Sequence, residues 1–379
     1  MSFRPPSQQI CAVAPAADSP GLPIQGIGVS LALHHIQLEG IVRTLPRILF
    51  LCLGLILSAS AASAEGAYPQ PPGGADRAPI GVVTSDTLDG GEWMLSYRYA
   101  RTHRQGNRDG TRRLSLGEVL ADFEVAPREM QVQEHVVTAM YAPHDRVTVM
   151  AVLPFLVLDM QNVSRAGGVP RSFATHASGI GDIEVHGLVR FMKKERQKLN
   201  VALGLSIPSG SISVEDEVGG VKAELPYPMQ LGTGTVALLA GSTYLGYHER
   251  LSWGCEWDTA LQLGRNHKDY RWGSRWHATS WLAYSWGDWA STSLRFSFDR
   301  WNNVEGYDTA LSGRPSSPTA DPGRQAGTRL DLGPGLNFKL PILGDPRLAI
   351  EMLWPVYQSL DGPQLETDWT LILGLQLGF

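Results

Sequence analysis

The segment WTLILGLQLGF, Trp369 to Phe379, alternates without a break. Trp369, Leu371, Leu373, Leu375, Leu377 and Phe379 share one face of a strand, and Thr370, Ile372, Gly374, Gln376 and Gly378 share the other, because strand side chains repeat every two residues. One face is continuously apolar and the other is small or polar. A strand of a membrane barrel needs that layout, with lipid on one side, a lumen on the other and an aromatic residue at the interface. A soluble sandwich can also hold one such strand, so the rest of the chain has to choose between them.

Comparable alternation recurs along the chain. Trp93, Leu95, Tyr97 and Tyr99 share a face, as do Val147, Val149, Ala151, Leu153 and Phe155. Leu199, Val201, Leu203, Leu205 and Ile207 form a third stripe, and Leu294, Phe296 and Phe298 a fourth. The connections alternate too. Long polar loops are expected near 102–128, 160–180, 208–230, 302–326 and 358–367, and tight turns at APHD, KKERQK, HERL and WGDW. Outer-membrane barrels segregate long loops to one side and tight turns to the other, and they carry tryptophans near strand ends. The pattern predicts an all-β fold, a membrane-spanning antiparallel up-and-down β-barrel of about twelve strands, over 93–379. A soluble, exported all-β protein is the alternative.

The amino-terminal region supports export. Arg43 and Arg47 precede the apolar run Ile48 to Leu57, and Ala62-Ser63-Ala64 offers a small-x-small cleavage site before Glu65. The run is too short to span a bilayer and reads as a secretory signal. Residues 1–64 therefore read as an over-long leader plus signal, and 65–92, polar and rich in Gly and Pro, as a periplasmic tail or a plug. Removing the leader leaves roughly 315 residues, enough for one large domain. It also leaves Cys255 as the single cysteine, so no intrachain disulfide can close the fold. A net charge of −5 gives no basic footprint for nucleic acid.

With apolar faces toward lipid, the opposite faces place Arg98, Asp182, Glu184, His186, Glu256, Asp258, Arg275, His277, Arg295, Arg329, Asp331, Lys339 and Glu351 toward the lumen. Charges on the lipid face would cost roughly 2–4 kcal/mol at mid-bilayer. Inside, they either fill a narrow lumen as an ion-pair network or line a polar path. No Walker loop, zinc-ligand spacing or CxxC is present, and no cofactor or metal is expected. His176 and Ser178 share a strand face, as a base and its nucleophile would in a barrel lipase, but the sequence shows no partner to orient the histidine.

The segments APIGV (78–82), GEWMLSYRY (91–99), GNRDGT (106–111), SGIGDIEVHGLVRF (178–191), LPYPMQLGTGT (225–235) and GPQLETDWTLILGLQLGF (362–379) together resemble the outer-membrane transporters of the meta-pathway phenol-degradation family. The resemblance covers the chain beyond the leader. It implies an outer-membrane barrel that passes small hydrophobic or aromatic molecules, contacts outer-membrane lipid, and is recognised by the barrel-assembly machinery through the strand ending at Phe379. Relatives in this group carry Met and His around the first strand and loop, a donor set that suits soft metals. Only Met94 and His103 stand there in this chain.

Overall fold

The computed structural model describes residues 78–165, 168–218, 221–311, 316–340 and 346–379. The leader and signal expected in 1–64, and residues 65–77, lie outside these. In chain order the strands are β1 (Trp93–Gly110), β2 (Arg112–Leu114), β3 (Val125–His144), β4 (Val147–Ser164), β5 (Arg171–Ile180), β6 (Ile183–Lys194), β7 (Gln197–Ile207), β8 (Glu215–Val218) and β9 (Val221–Glu224). They continue with β10 (Val236–His248), β11 (Leu251–Leu263), β12 (Tyr270–Arg271), β13 (Arg275–Ser285), β14 (Ala290–Trp301), β15 (Glu305–Gly306), β16 (Gly327–Lys339) and β17 (Arg347–Gly378). One helix, α1 (Leu116–Asp122), sits in the first loop. No helix among the described residues is long and apolar enough to cross a membrane.

The sheet runs β1-β3-β4-β6-β7-β10-β11-β13-β14-β16-β17, every pair antiparallel, and β17 returns to pair with β1. The barrel is therefore closed and leaves no sheet edge for lipid to desolvate. β17 crosses the wall twice. Leu360 pairs with both Gly327 and Gly110, while Arg347 pairs with Lys339 and Gly378 with Met94 at the opposite end. The chain thus climbs from Arg347, reverses beyond Leu360 and descends to Gly378, which gives twelve crossings. The expected loop at 358–367 is mostly ladder. The first loop is likewise shorter than 102–128, because β1 extends to Gly110 and β3 begins at Val125.

Exposure alternates as the side-chain period demands. Leu95, Val149, Leu153, Phe155, Leu203 and Leu294 belong to an exposed apolar belt, while Met94, Val152, Ala202 and Arg295 on the same strands are buried inside. So continuous an apolar surface needs lipid against it. Aromatic pairs mark its borders. Trp93 stacks on Tyr141 with centroids 4.2 Å apart at the short-turn end, and His103 stacks on Trp369 at 5.6 Å toward the loops. Along β1 the two levels are ten residues apart, roughly 25 Å along the axis at ordinary strand tilt, the height of a bilayer's apolar band.

The rim is uneven. β1, β3 and β4 span 18–20 residues, whereas β6, β7, β10, β11, β13, β14 and β16 span 11–13. β5 pairs with the upper half of β4 and β6 with its lower half. β5 and β6 are therefore one crossing interrupted at Gly181-Asp182.

Candidate functional site

The interior has two unlike walls. On β1, β3, β4, β6 and β7 the inward residues Met94, Val136, Met140, Met150, Val152, Leu188 and Ala202 form one apolar cluster toward the short-turn end. Higher up, Met130, Val132, Leu158, Met160 and Ala177 form a second. Met130 faces Met160 across the β3–β4 ladder, and Met140 faces Met150. All four are at most 2 % exposed. Thioethers are unbranched and polarisable, so such a wall adapts to irregular apolar shapes.

The opposite wall, on β11, β13, β14, β16 and β17, is charged. Arg295 Nε donates to Glu351 Oε1 at 2.6 Å, and both side chains are almost fully buried. Asp299 lies within 3.3 Å of Arg275 Nη2, His277 Nδ1 and Arg329 Nη2, and Arg329 Nε also donates to Asp331 at 2.9 Å. Charges removed from water persist only when paired and hydrogen-bonded. Glu256 and Asp258 face inward beside His277, with one oxygen of each carboxylate and a ring nitrogen within 4.8 Å of one another.

Residues 78–92 run between these walls. Arg347 donates to the Ala78 carbonyl, Gly81 N to Glu351 Oε2, Thr84 N and Oγ1 to Glu256 Oε2, and Asn200 to the Ser85 carbonyl. Farther along, Leu88 N donates to Thr148 Oγ1, and Arg190 binds Thr87 O, Leu88 O and the Asp89 carboxylate. The Arg190 hydrogen bond holds the Asp89 carboxyl below its ordinary value. Apolar residues alternate with these polar anchors. Ala78 and Val82 pack on Leu245 and Trp281, and Ile80 packs on Ala349, Leu353 and Ile372. Gly374 is small because Ile80 occupies the space of a side chain there: an added Cβ would lie 2.3 Å from the isoleucine.

The long-loop end is also covered. Leu225, Met229 and Leu231, from the loop after β9, join the upper methionine cluster. The cover is pinned by Lys268, which bridges Glu224 and Asp308, and by Asp308 N donating to Tyr227 Oη at 2.9 Å. Burial and the neighbouring Asp308 raise the Glu224 carboxyl above its ordinary value. Burial likewise pushes the Tyr270 hydroxyl up.

The charged residues expected to line the lumen fall mostly on strand positions opposite the exposed belt. Arg98, Glu184, His186, Glu256, Asp258, Arg295, Arg329, Asp331 and Glu351 alternate with the exposed belt, and His186 Nε2 contacts Glu184 at 3.0 Å. Arg275 and His277 stand near the long-loop end of β13, and Lys339 closes β16 at the short-turn end. Asp182 is a correction. It lies in the break between β5 and β6, where its carboxylate accepts from Gly210 N, Thr233 N and Thr233 Oγ1 and staples two loops. Asp299, Arg347, Arg190 and Glu134 also face inward, and sequence reasoning missed them. Arg347 and Arg190 had a usable signal: each stands one residue from an outward apolar position.

His176 and Ser178 occupy the exposed face of β5, not the lumen. The histidine does have an orienting partner, with Asp159 Oδ1 lying 2.8 Å from its Nδ1. Among the described residues, no hydrogen bond links His176 to Ser178.

No protein-family model and no curated protein matches the chain. Among solved structures, the fold is similar to the COG4313 outer membrane channel from Pseudomonas putida F1, with a TM-score of 0.53 and 12% sequence identity, covering 77% of this chain and 97% of that one. A Pseudomonas aeruginosa FadL homologue matches with a TM-score of 0.37 and 11% identity, over 84% of this chain and 96% of that one. The Pseudomonas putida toluene transporter TodX matches with a TM-score of 0.38 and 9% identity, over 77% and 91%. These last two are too distant to bear on this chain. A closed β-barrel with an apolar belt and the fold of an outer-membrane channel belongs in the bacterial outer membrane.

Proposed function

We propose that the protein is an outer-membrane channel for small hydrophobic or aromatic molecules, in keeping with the resemblance to the meta-pathway phenol-degradation family. The observation that carries this reading is the methionine-rich inner wall. A barrel that only needed filling would be served by paired charges or by its own terminus, as the opposite wall is. Once residues 78–92 and the Leu225–Leu231 cover shift away, this soft apolar face gives a greasy solute a surface to slide along while the bilayer is excluded. Residues 78–92 act as a plug that narrows the route, and the Leu225–Leu231 cover guards its outer mouth. The inward charges hold the plug and the wall in shape, and no catalytic step is assigned to the barrel.

The packing at both ends favours a second reading, a closed structural barrel whose loops meet partners. Single-channel recording on the refolded chain in a planar bilayer separates the two. The channel reading expects small discrete steps that toluene reduces, and larger steps once residues 78–90 are deleted. A stably inserted barrel that stays silent with and without the plug would overturn the channel.

A further inference from the structure

We propose that Glu256, Asp258 and His277 form a binding site for one divalent transition-metal ion, of which Zn2+ is the best match, inside the barrel wall. Asp258 and His277 are direct register partners on β11 and β13, and Glu256 is two residues along the same inward face. One oxygen of each carboxylate and a ring nitrogen of the histidine lie within 4.8 Å of one another, and Glu256 is 4 % exposed. Bonds to a common ion at about 2.0–2.2 Å would draw these atoms together to roughly 3.4 Å, a closure that side-chain rotation on two adjacent strands can supply.

Two further observations point to a cation. The first is a charge deficit. Glu256 Oε2 accepts from neutral donors, Thr84 N, Thr84 Oγ1 and Thr243 Oγ1, and Asp258 makes no hydrogen bond or ion pair among the described residues. No arginine makes a direct ion pair with either carboxylate among the described residues: Arg275 and Arg329 pair with Asp299 and Arg295 with Glu351, and Arg98 on β1 faces the same interior. Two inward carboxylates beside one imidazole, with no direct ion pair to an arginine or lysine, are costly, and a divalent ion bound among the three neutralises both. The second is the setting of the imidazole. His277 Nδ1 lies 3.2 Å from Asp299 Oδ1. A carboxylate on one ring nitrogen fixes the tautomer, leaves the Nε2 lone pair for a metal and strengthens it as a donor.

The donor set selects the ion. Carboxylate and imidazole suit Zn2+ and Mn2+, whereas Ca2+ and Mg2+ prefer oxygen alone and Cu+ prefers sulfur. Cys255 stands between Glu256 and Gly254 in sequence, so its thiol falls on the other face of β11 and adds nothing to the site. Because Glu256 also holds Thr84, a bound ion ties the plug to the charged wall. The sequence has no metal motif because the ligands come from two strands and the supporting Asp299 from a third.

The test is titration of the refolded, chelator-treated chain, free of any histidine tag, with Zn2+ alone by isothermal calorimetry, with Ca2+ as comparator. One Zn2+ per chain is expected, with at least tenfold weaker binding in His277→Gln and in Asp258→Asn. Asp299→Asn, acting through the imidazole, should weaken binding by about 10–100-fold without abolishing it. Heat-modifiable gel mobility verifies that each barrel is folded. Should His277→Gln fail to fold, Asp258→Asn carries the comparison, since it removes an unpaired charge and keeps the shape. Absence of stoichiometric Zn2+ binding in the wild type, or equal affinity in the folded variants, would overturn the site. The readout is ion binding, so it stands apart from whether the barrel conducts.

Discussion

On the β3–β4 wall, Met130, Met140, Met150 and Met160 pack in apolar clusters, while on the β13–β17 wall Arg295, Asp299 and Glu351 are buried among counter-charges. Both walls face the same lumen and both touch residues 78–92, yet they are held by different physics. Dispersion and apolar burial are non-directional and degrade gradually when a side chain changes. A buried ion pair depends on both members at once. One wall should therefore tolerate a change of shape and the other should not, and the following measurements test that contrast.

The largest effect is expected on the charged side. Arg295→Met leaves Glu351 buried without its cation and should cost about 3–5 kcal/mol, read as a lower urea midpoint for loss of the folded gel band. A change below about 1 kcal/mol would mean that the pair is well hydrated and that the two walls do not differ in this way. On the apolar side, Met150→Ala opens a cavity at a fully buried position and should cost about 2–5 kcal/mol. Met150→Leu should cost less than about 1.5 kcal/mol, because it keeps the volume. A leucine variant as damaged as the alanine variant would show that the methionine wall is as exacting as the charged one.

A smaller effect concerns the plug's last anchor. Asp89 is held below its ordinary carboxyl value in the folded state by Arg190 and by Lys193. A depressed folded value stabilises the docked plug fully above pH about 3.8, and that contribution is lost as pH falls through the lower folded value. Asp89 is more than half exposed, so the contribution should stay under about 1 kcal/mol. Limited acid-protease cleavage within 78–92 should rise as the pH is lowered below about 3.8, and Asp89→Asn should flatten that rise. The smallest effect is expected at Ser178. With no hydrogen bond to His176, Ser178→Ala should leave hydrolysis of a chromogenic ester at the wild-type background. A clear loss would make the Asp159–His176 pair part of an active site.

The alternation at 93–101, 147–155 and 369–379 was legible because one face of each strand meets lipid and the other does not, and that contrast is written residue by residue. β10 was less distinct: Leu239, Leu245 and Tyr247 face inward and are as apolar as its outward face. The turn after Leu360 was placed within too long a loop, since ladder hydrogen bonds need no hydrophobic pattern once strands rise above the belt. Within the site, Glu256 and Asp258 were readable as neighbours because they share one strand. Their proximity to His277, and the four-way grouping around Asp299, depend on cross-strand register, which no single segment encodes. Asp182 was misread because the break after β5 interrupts the side-chain period on which its assignment relied.

The plug's contacts have a consequence for the order of assembly. Ala78 is bound by Arg347 and Gly81 by Glu351, some 270 positions away, while Ser85 and Leu88 are bound by Asn200 and Thr148 on the other side. The full set of seats exists only when β4, β7 and β17 stand around the same lumen. The earliest described part of the chain can therefore take up all of its anchors only after the latest strand is in place. Its docking reports that the ring has shut, and a barrel stalled half-built would show it as a loose, protease-accessible thread.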